Sequence, residues 1–287
     1  MTGEAQDVAE VERALDVEIV AHARVTGGDV AEAYRLQAAS GVQLFAKTRR
    51  GAPPDFFDTE ARGLRWLREA EAMPVPAVVH VSTEPPILVL EWVDETHRRP
   101  VSDVAFGRDL ARLHQAGSAS FGREDGRPTG SRGLPNDPCS TWSEFYAMRR
   151  LLPLARMARD GGALDGSTVT MIETVAGRLD EFEGADEAPA RLHGDLWAGN
   201  RIVDAQGQSW LIDPAAHGGH REFDLAMMAL FGGWAPDVFD AYDEAWSLAD
   251  GWRDRVALHQ LAPLAVHAIK FGGSYGAATA AAVRRYV

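Results

Sequence analysis

"RLHGDLWAGNRIVDAQGQSWLIDPAAHGGHREFDLAMMALFGG", residues 191–233, sets Asp195, Asn200, Asp213 and Asp224 beside runs as apolar as "SWLID" and "LAMMALF". Within it, "RIV" (201–203) and "SWLID" (209–213) flank the turn "DAQGQ" and read as two short strands, with Asp213 ending the second. An Asp, four residues, an Asn, a hairpin and a strand-end Asp follow the order of a kinase active site. The residue types suit that chemistry. A hydroxyl nucleophile needs a carboxylate near its proton, and nucleotide phosphates need Mg²⁺ held by hard oxygen ligands. On this pattern Asp195 is the base, with Asn200 and Asp213 as metal ligands. An Asp-x4-Asn pair alone is common by chance; the hairpin and the Asp that follow it make the pattern specific.

Towards the N-terminus, a kinase site also requires a strand lysine for the phosphates and a helix glutamate to orient it. Lys47 ends the strand "VQLFAK", an odd place for a charge, and Glu60 lies in the following helical segment "DTEARGLRWLREAEAM". Gly27 and Gly28 in "TGGD" stand where a phosphate-covering loop belongs, since glycine backbone can approach phosphate closely. A plain turn is the other reading of two adjacent glycines. "LEWV" (90–93) places the backbone of Glu91 and Val93 where adenine would pair.

The pattern up to there is helix ("DVAEVERALD"), hairpin, helix, hairpin, a small mixed β lobe over 1–93. A connecting segment is expected around 93–100. The chain then turns mainly helical, with helices at 101–117, 141–159 and 167–183 and a polar Gly/Pro-rich loop at 121–138. The expected architecture is α+β and bilobal, protein-kinase-like, with a larger helical lobe over 94–287.

Composition narrows the function classes. The 287 residues are 46% hydrophobic and 25% charged, an ordinary globular balance. A net charge of −13 argues against nucleic acid, because phosphate backbones demand clustered Lys and Arg. No stretch approaches the roughly 20 apolar residues of a membrane helix. The acidic start "MTGEAQDVAEVERALD" lacks a secretion-signal layout, so a cytoplasmic protein without membrane contact is expected. The single cysteine, Cys139, allows no intramolecular disulfide and reads as a structural thiol.

"HGDLWAGN…LIDPAAHGGHREFDLAM", with Trp197 after "HGDL", "DPA" at 213–215 and "GHREFDLAM" at 219–227, resembles the fructosamine kinase (ketosamine or protein-ribulosamine 3-kinase) family. This family lies within the aminoglycoside-phosphotransferase-like superfamily. The likeness continues through "LAPLAVHAIKFGGSYG" and covers nearly the whole chain. It implies phosphorylation of the 3-hydroxyl of a ketosamine, using ATP and Mg²⁺. The acceptor would be a small molecule or a glycated protein lysine, and the phosphorylated adduct falls apart to free the amine. The roles of Asp195, Asn200, Asp213, Lys47 and Glu60 carry over by position, and Asp224 matches an aspartate that braces the catalytic loop. His193 is expected to support that loop. Trp197 flanks the base, where an indole can pack on a sugar face or a cationic amine, or else on the core. His217, His220, Arg221 and Glu222 either touch the sugar or hydrogen-bond the loop. His267 and Tyr275 line the pocket or sit in the core. Some relatives carry a redox-sensitive cysteine in the phosphate loop; "TGGDVAEA" has none. A monomer is the default. Competing readings are a kinase of another small hydroxyl compound, aminoglycoside or choline-like, and a nucleotide-binding pseudokinase sensor.

Overall fold

The structure, a computed structural model, describes residues 3–25, 31–96, 100, 102–130, 132–182 and 187–287. Its elements in chain order begin with α1 (Gly3–Leu15), β1 (Ile19–Arg24), β2 (Glu32–Ala38), β3 (Gln43–Thr48), α2 (Phe56–Arg68), β4 (Val78–Ser82) and β5 (Ile87–Glu91). Then come α3 (Val104–Gln115), α4 (Trp142–Phe145), α5 (Leu152–Asp160), α6 (Gly166–Ala176) and β6 (Ala190–Leu192). The chain continues with β7 (Arg201–Val203), β8 (Ser209–Leu211), β9 (His217–Gly219) and α7 (Glu222–Phe231). Helices α8 (Val238–Ala245), α9 (Trp252–His259), α10 (Leu261–Phe271) and α11 (Ser274–Val283) complete it. Among the described residues no helix is long and apolar enough to cross a membrane.

Two compact units emerge. The first comprises Met1–Arg99 with Ile202–Pro214, the second Pro100–Arg201 with Ala215–Val287. The first therefore runs past the expected edge at residue 93 and takes in most of the β7–β8 hairpin. Backbone bonding explains this: Thr96 N–H donates to Val203 O at 2.7 Å, and Leu211 N–H to Pro74 O at 3.0 Å.

In the first unit the two expected hairpins merge into one antiparallel sheet, ordered β1-β2-β3-β5-β4. Strand alternation sorts its faces. Leu36, Leu44, Ala46, Ile87 and Val89 form one core with Val8 and Val11 of α1. Phe45 and Lys47, one residue out of step with Leu44 and Ala46, belong to the opposite face, where α2 packs against β4 and β5. Helix α2 presents Ala61, Leu64 and Leu67, all fully buried, at three-residue spacing. It ends at Arg68, so Glu69 and Glu71 fall beyond it.

The second unit is helical around a core that includes Trp142, Phe145, Tyr146, Leu154, Ile172, Leu258 and Leu264. Between α4 and α5 the chain passes through a π-helical stretch, Tyr146–Leu151. It delivers the buried Tyr146 hydroxyl to the break between α9 and α10. There the hydroxyl lies 2.9 Å from Leu258 O and accepts Ala262 N–H at 3.2 Å, serving backbone groups that Pro263 and the break leave over.

Candidate active site

In the first unit, Lys47 meets two carboxylates. Its Nζ lies 2.7 Å from Glu60 Oε1 and 2.5 Å from Asp213 Oδ1. Strand parity aims the lysine at the α2 face, and Glu60, one turn into α2, meets it there. Burial alone pulls the ammonium's pKa down, but the Glu60 and Asp213 charges and hydrogen bonds outweigh it, leaving the pKa above its ordinary value. Lys47 is a fixed cation. Asp213 sits at φ 52, in the left-handed region that non-glycine residues seldom adopt. Glu91 N–H donates to Ala77 O at 3.0 Å, while its Oε1 accepts Ala77 N–H at 2.9 Å. Gly27 and Gly28 lie outside the described residues.

In the second unit, β6 pairs antiparallel with β9 and hands the chain to the loop 193–200. Asp224, fully buried at the start of α7, accepts the backbone N–H of His193 at 2.7 Å and of Gly194 at 2.9 Å. The same carboxylate lies 3.3 Å from His114 Nε2, and His114 Nδ1 is 2.8 Å from the Tyr242 hydroxyl. Burial opposes the Asp224 charge, but the His114 hydrogen bond, the histidine charges and the Gly194 N–H hold its pKa below the ordinary carboxylate value. Gly194, at φ 80, must be glycine: a Cβ there would stand 2.2 Å from Ala215 O. His193 Nδ1 accepts Asp195 N–H at 3.3 Å. Asn200 Nδ2 donates to Asp195 O at 2.8 Å and to Asp195 Oδ2 at 3.1 Å. The loop's backbone is thus held from below while Asn200 orients the Asp195 carboxylate. Trp197 is 42% exposed, so it does not pack into the core.

His217, His220, Arg221 and Glu222, which the sequence assigned either to the sugar or to the loop, are all buried and bonded to protein. His217 Nδ1 is 2.8 Å from Ala215 O, and its ring stacks on Phe145 at 5.3 Å. His220 stacks on His259 at 5.2 Å. Burial first, then Arg150 for His217 and His259 for His220, pushes both imidazoles down to about 3. Arg221 forks onto Glu187 at 2.6 and 2.8 Å, donates to Trp246 O and Ser247 O, and stacks 4.0 Å over Trp246. Glu222 accepts from Arg255 at 2.6 and 2.9 Å. Burial raises its pKa, but His259 and Arg255 reverse that and hold it at about 2. All four side chains are therefore engaged with protein groups outside the loop 193–200. His220, Glu222 and His259 also bring potential metal-ligand atoms within 4.8 Å of one another. The Arg255 guanidinium on both Glu222 oxygens makes that a hostile place for a cation.

Sequence reasoning did not single out His114, Tyr242, Arg255 or His259. His114 carried a usable signal: it continues the apolar face of α3 with Leu110 and Leu113, all three fully buried, and a histidine there needs a polar partner.

The sequence profile of the family described as fructosamine kinase matches residues 1–287. A protein of Enterococcus faecium named as a ketoamine kinase is 33% identical over 253 residues, 88% of this chain and 90% of its own. The chloroplastic protein-ribulosamine 3-kinase of Arabidopsis thaliana is 31% identical over 272 residues, 92% and 81% of the two chains. A crystal structure from Thermobifida fusca, described as a fructosamine-3-kinase, superposes with a TM-score of 0.88 at 43% identity, covering 97% of each chain. A choline kinase of Streptococcus pneumoniae gives a TM-score of 0.66 at 13% identity over 99% of each chain, a likeness of fold alone. The fold is that of the protein-kinase-like phosphotransferases.

Proposed function

We propose, since this chain belongs to the fructosamine kinase family, that it transfers the γ-phosphoryl group of ATP to the 3-hydroxyl of a ketosamine. The relatives named as ketoamine and ribulosamine kinases support the acceptor. The observation that carries the reaction class is the Asp195 carboxylate, oriented by Asn200 on a loop whose backbone hangs from Asp224.

Each residue's part follows from its chemistry. Asp195 takes the proton of the 3-hydroxyl as its oxygen bonds to the γ-phosphorus, and ADP leaves. Lys47, kept charged by Glu60 and Asp213, holds phosphate oxygens. The backbone of Glu91 and Val93 receives the adenine. Asn200 and Asp213 supply oxygen ligands for Mg²⁺. Both suit a hard cation, since Asn200 spends its amide nitrogen on the loop and its oxygen is the end such an ion takes. When bound, the ion neutralises charge on the transferring phosphate. Once the C1–C2 unit enolises, the 3-phosphate leaves as inorganic phosphate and a C1 imine forms; water then hydrolyses that imine, freeing the amine and a 3-deoxy dicarbonyl sugar.

The test is ATP consumption with ribuloselysine, fructoselysine and an aminoglycoside side by side, with phosphorus NMR of any product. Phosphate on the ketosamine 3-hydroxyl is the expected result. Turnover of the aminoglycoside alone would move the acceptor to another hydroxyl compound. Nucleotide binding without turnover of any of the three would favour a sensor.

A further inference from the structure

Asn200 and Arg201 are chain neighbours with different partners. Asn200 turns back into the loop, onto Asp195 O at 2.8 Å and Asp195 Oδ2 at 3.1 Å. Arg201 opens β7, and its Nη1 lies 2.7 Å from Asp103 Oδ1, with the two side chains only 7% and 2% exposed. The guanidinium rests over a pair of rings, 4.7 Å from the centre of Phe106 and 5.1 Å from that of Trp234. Those rings are 4.6 Å apart, so one cation covers both.

Asp103 is anchored in turn. It stands at the N-cap of α3, yet its carboxylate makes no cap hydrogen bond among the described residues. Instead Oδ1 faces Arg201, and Oδ2 accepts Ala235 N–H at 2.6 Å. Its own N–H donates to Asp237 Oδ1 at 2.9 Å, and Ser102 Oγ donates to Asp237 Oδ2 at 2.6 Å. Arg201 is thereby tied to the start of α3 and to the segment between α7 and α8.

A buried ion pair is seldom the most stabilising way to fill a site, since apolar side chains of like volume hold a fold as well or better. What this pair adds is direction. A planar guanidinium seated on two rings and facing one carboxylate has little rotational freedom, and neither has the backbone that carries it. Asn200 shares a peptide bond with that residue. Its amide spends its nitrogen on Asp195, and its oxygen must stay aimed at a cation.

We infer that Arg201 and Asp103 are positioning residues for Asn200: their ion pair fixes the exit of the catalytic loop, and with it the aim of the Asn200 amide and the Asp195 carboxylate. The inference rests on the metal role given to Asn200 above and adds to it two residues that act through Asn200.

The test is the Mn²⁺ affinity of the enzyme–ADP complex, read from the electron paramagnetic resonance of free Mn²⁺, beside kcat, ketosamine KM and urea unfolding. Mn²⁺ takes the same oxygen ligands as Mg²⁺. Arg201→Met keeps an unbranched apolar chain over the rings and removes the charge. Asp103→Asn keeps an acceptor for Ala235 N–H and is the milder change. Groups that orient a metal ligand are commonly worth about 10- to 100-fold, so Arg201→Met is expected to weaken Mn²⁺ and lower kcat by about tenfold, with ketosamine KM within about twofold. Asp103→Asn shows a smaller loss in the same direction. The double variant loses no more than Arg201→Met alone, because both changes remove one pair. Arg255→Leu, which breaks a buried pair elsewhere, loses stability and leaves the Mn²⁺ affinity unchanged. Arg201 and Asp103 variants that lose stability while Mn²⁺ affinity and kcat hold overturn the inference and leave the phosphotransfer reading standing. So does a double variant whose losses are the sum of the single ones. A wild-type ADP complex that takes up no Mn²⁺ sinks the metal role of Asn200 and the inference with it.

Discussion

Residues 193–200 and 217–224 lie in one polar stretch, yet the structure treats them oppositely. The first segment presents: Asp195 is positioned by Asn200, and Trp197 is 42% exposed. The second supports: His217, His220, Arg221, Glu222 and Asp224 are each at most 5% exposed, and all bond to protein groups. Polarity in sequence announces both kinds of residue alike. Burial separates them, because a desolvated charge must find a protein partner, whereas a reacting group must keep a face for its substrate.

The largest effect that would sharpen this contrast belongs to the presenting segment. Asp195→Asn keeps the shape and the Asn200 neighbour but removes the carboxylate proposed as the proton acceptor. Its kcat is expected to fall about 10²–10⁴-fold, with ATP affinity and melting temperature near the wild type. Steady-state kinetics beside nucleotide titration reads both. Near-normal turnover in this variant removes Asp195 as the base.

The supporting segment should respond the other way. Arg255→Leu strips the guanidinium from both Glu222 oxygens and leaves the His259 imidazole, at 3.4 Å, as the nearest side-chain partner of a buried carboxylate. Breaking one side of such a pair costs about 3–5 kcal/mol of stability. Urea unfolding is expected to show that loss, while the ketosamine KM of the folded enzyme stays put. A shifted KM with unchanged stability would return Glu222 to the substrate.

How far these contacts could be read in advance depends on where each partner lies. The Lys47–Glu60 pair was legible because a charge in an apolar strand needs a partner and Glu60 follows on the next helix. The Asp195–Asn200 contact was legible as a spaced pattern. The roles of Arg221 and Glu222 were not, since they are decided by Glu187 and Arg255, which lie 34 and 33 residues away. Nor did strand periodicity show that two hairpins join: the β3–β5 pairing brings together residues some forty apart, and no local pattern encodes that. His114 belongs to the same class, a brace whose partners Asp224 and Tyr242 come from distant helices.

The effect that is smallest per pH unit is the dependence of stability on acid, and it tests the buried segment without mutation. His217 and His220 stay neutral in the fold down to about pH 3 because burial opposes their charging. In the unfolded chain each takes a proton below about 6.5. Across that window the unfolded state binds more protons, so stability rises with pH and is lost as pH falls, by up to about 1.4 kcal/mol per pH unit for each imidazole. Glu222, held at about 2, adds loss in the same direction once pH drops below its unfolded value of 4.5. Between pH 6.5 and 4.5, therefore, the histidines act ahead of that carboxylate, and His217→Gln or His220→Gln should flatten the slope of unfolding free energy against pH by about one proton. A wild-type slope already flat in that interval would mean that these imidazoles charge within the fold, and the division between a presenting and a supporting segment would fail at its most buried point.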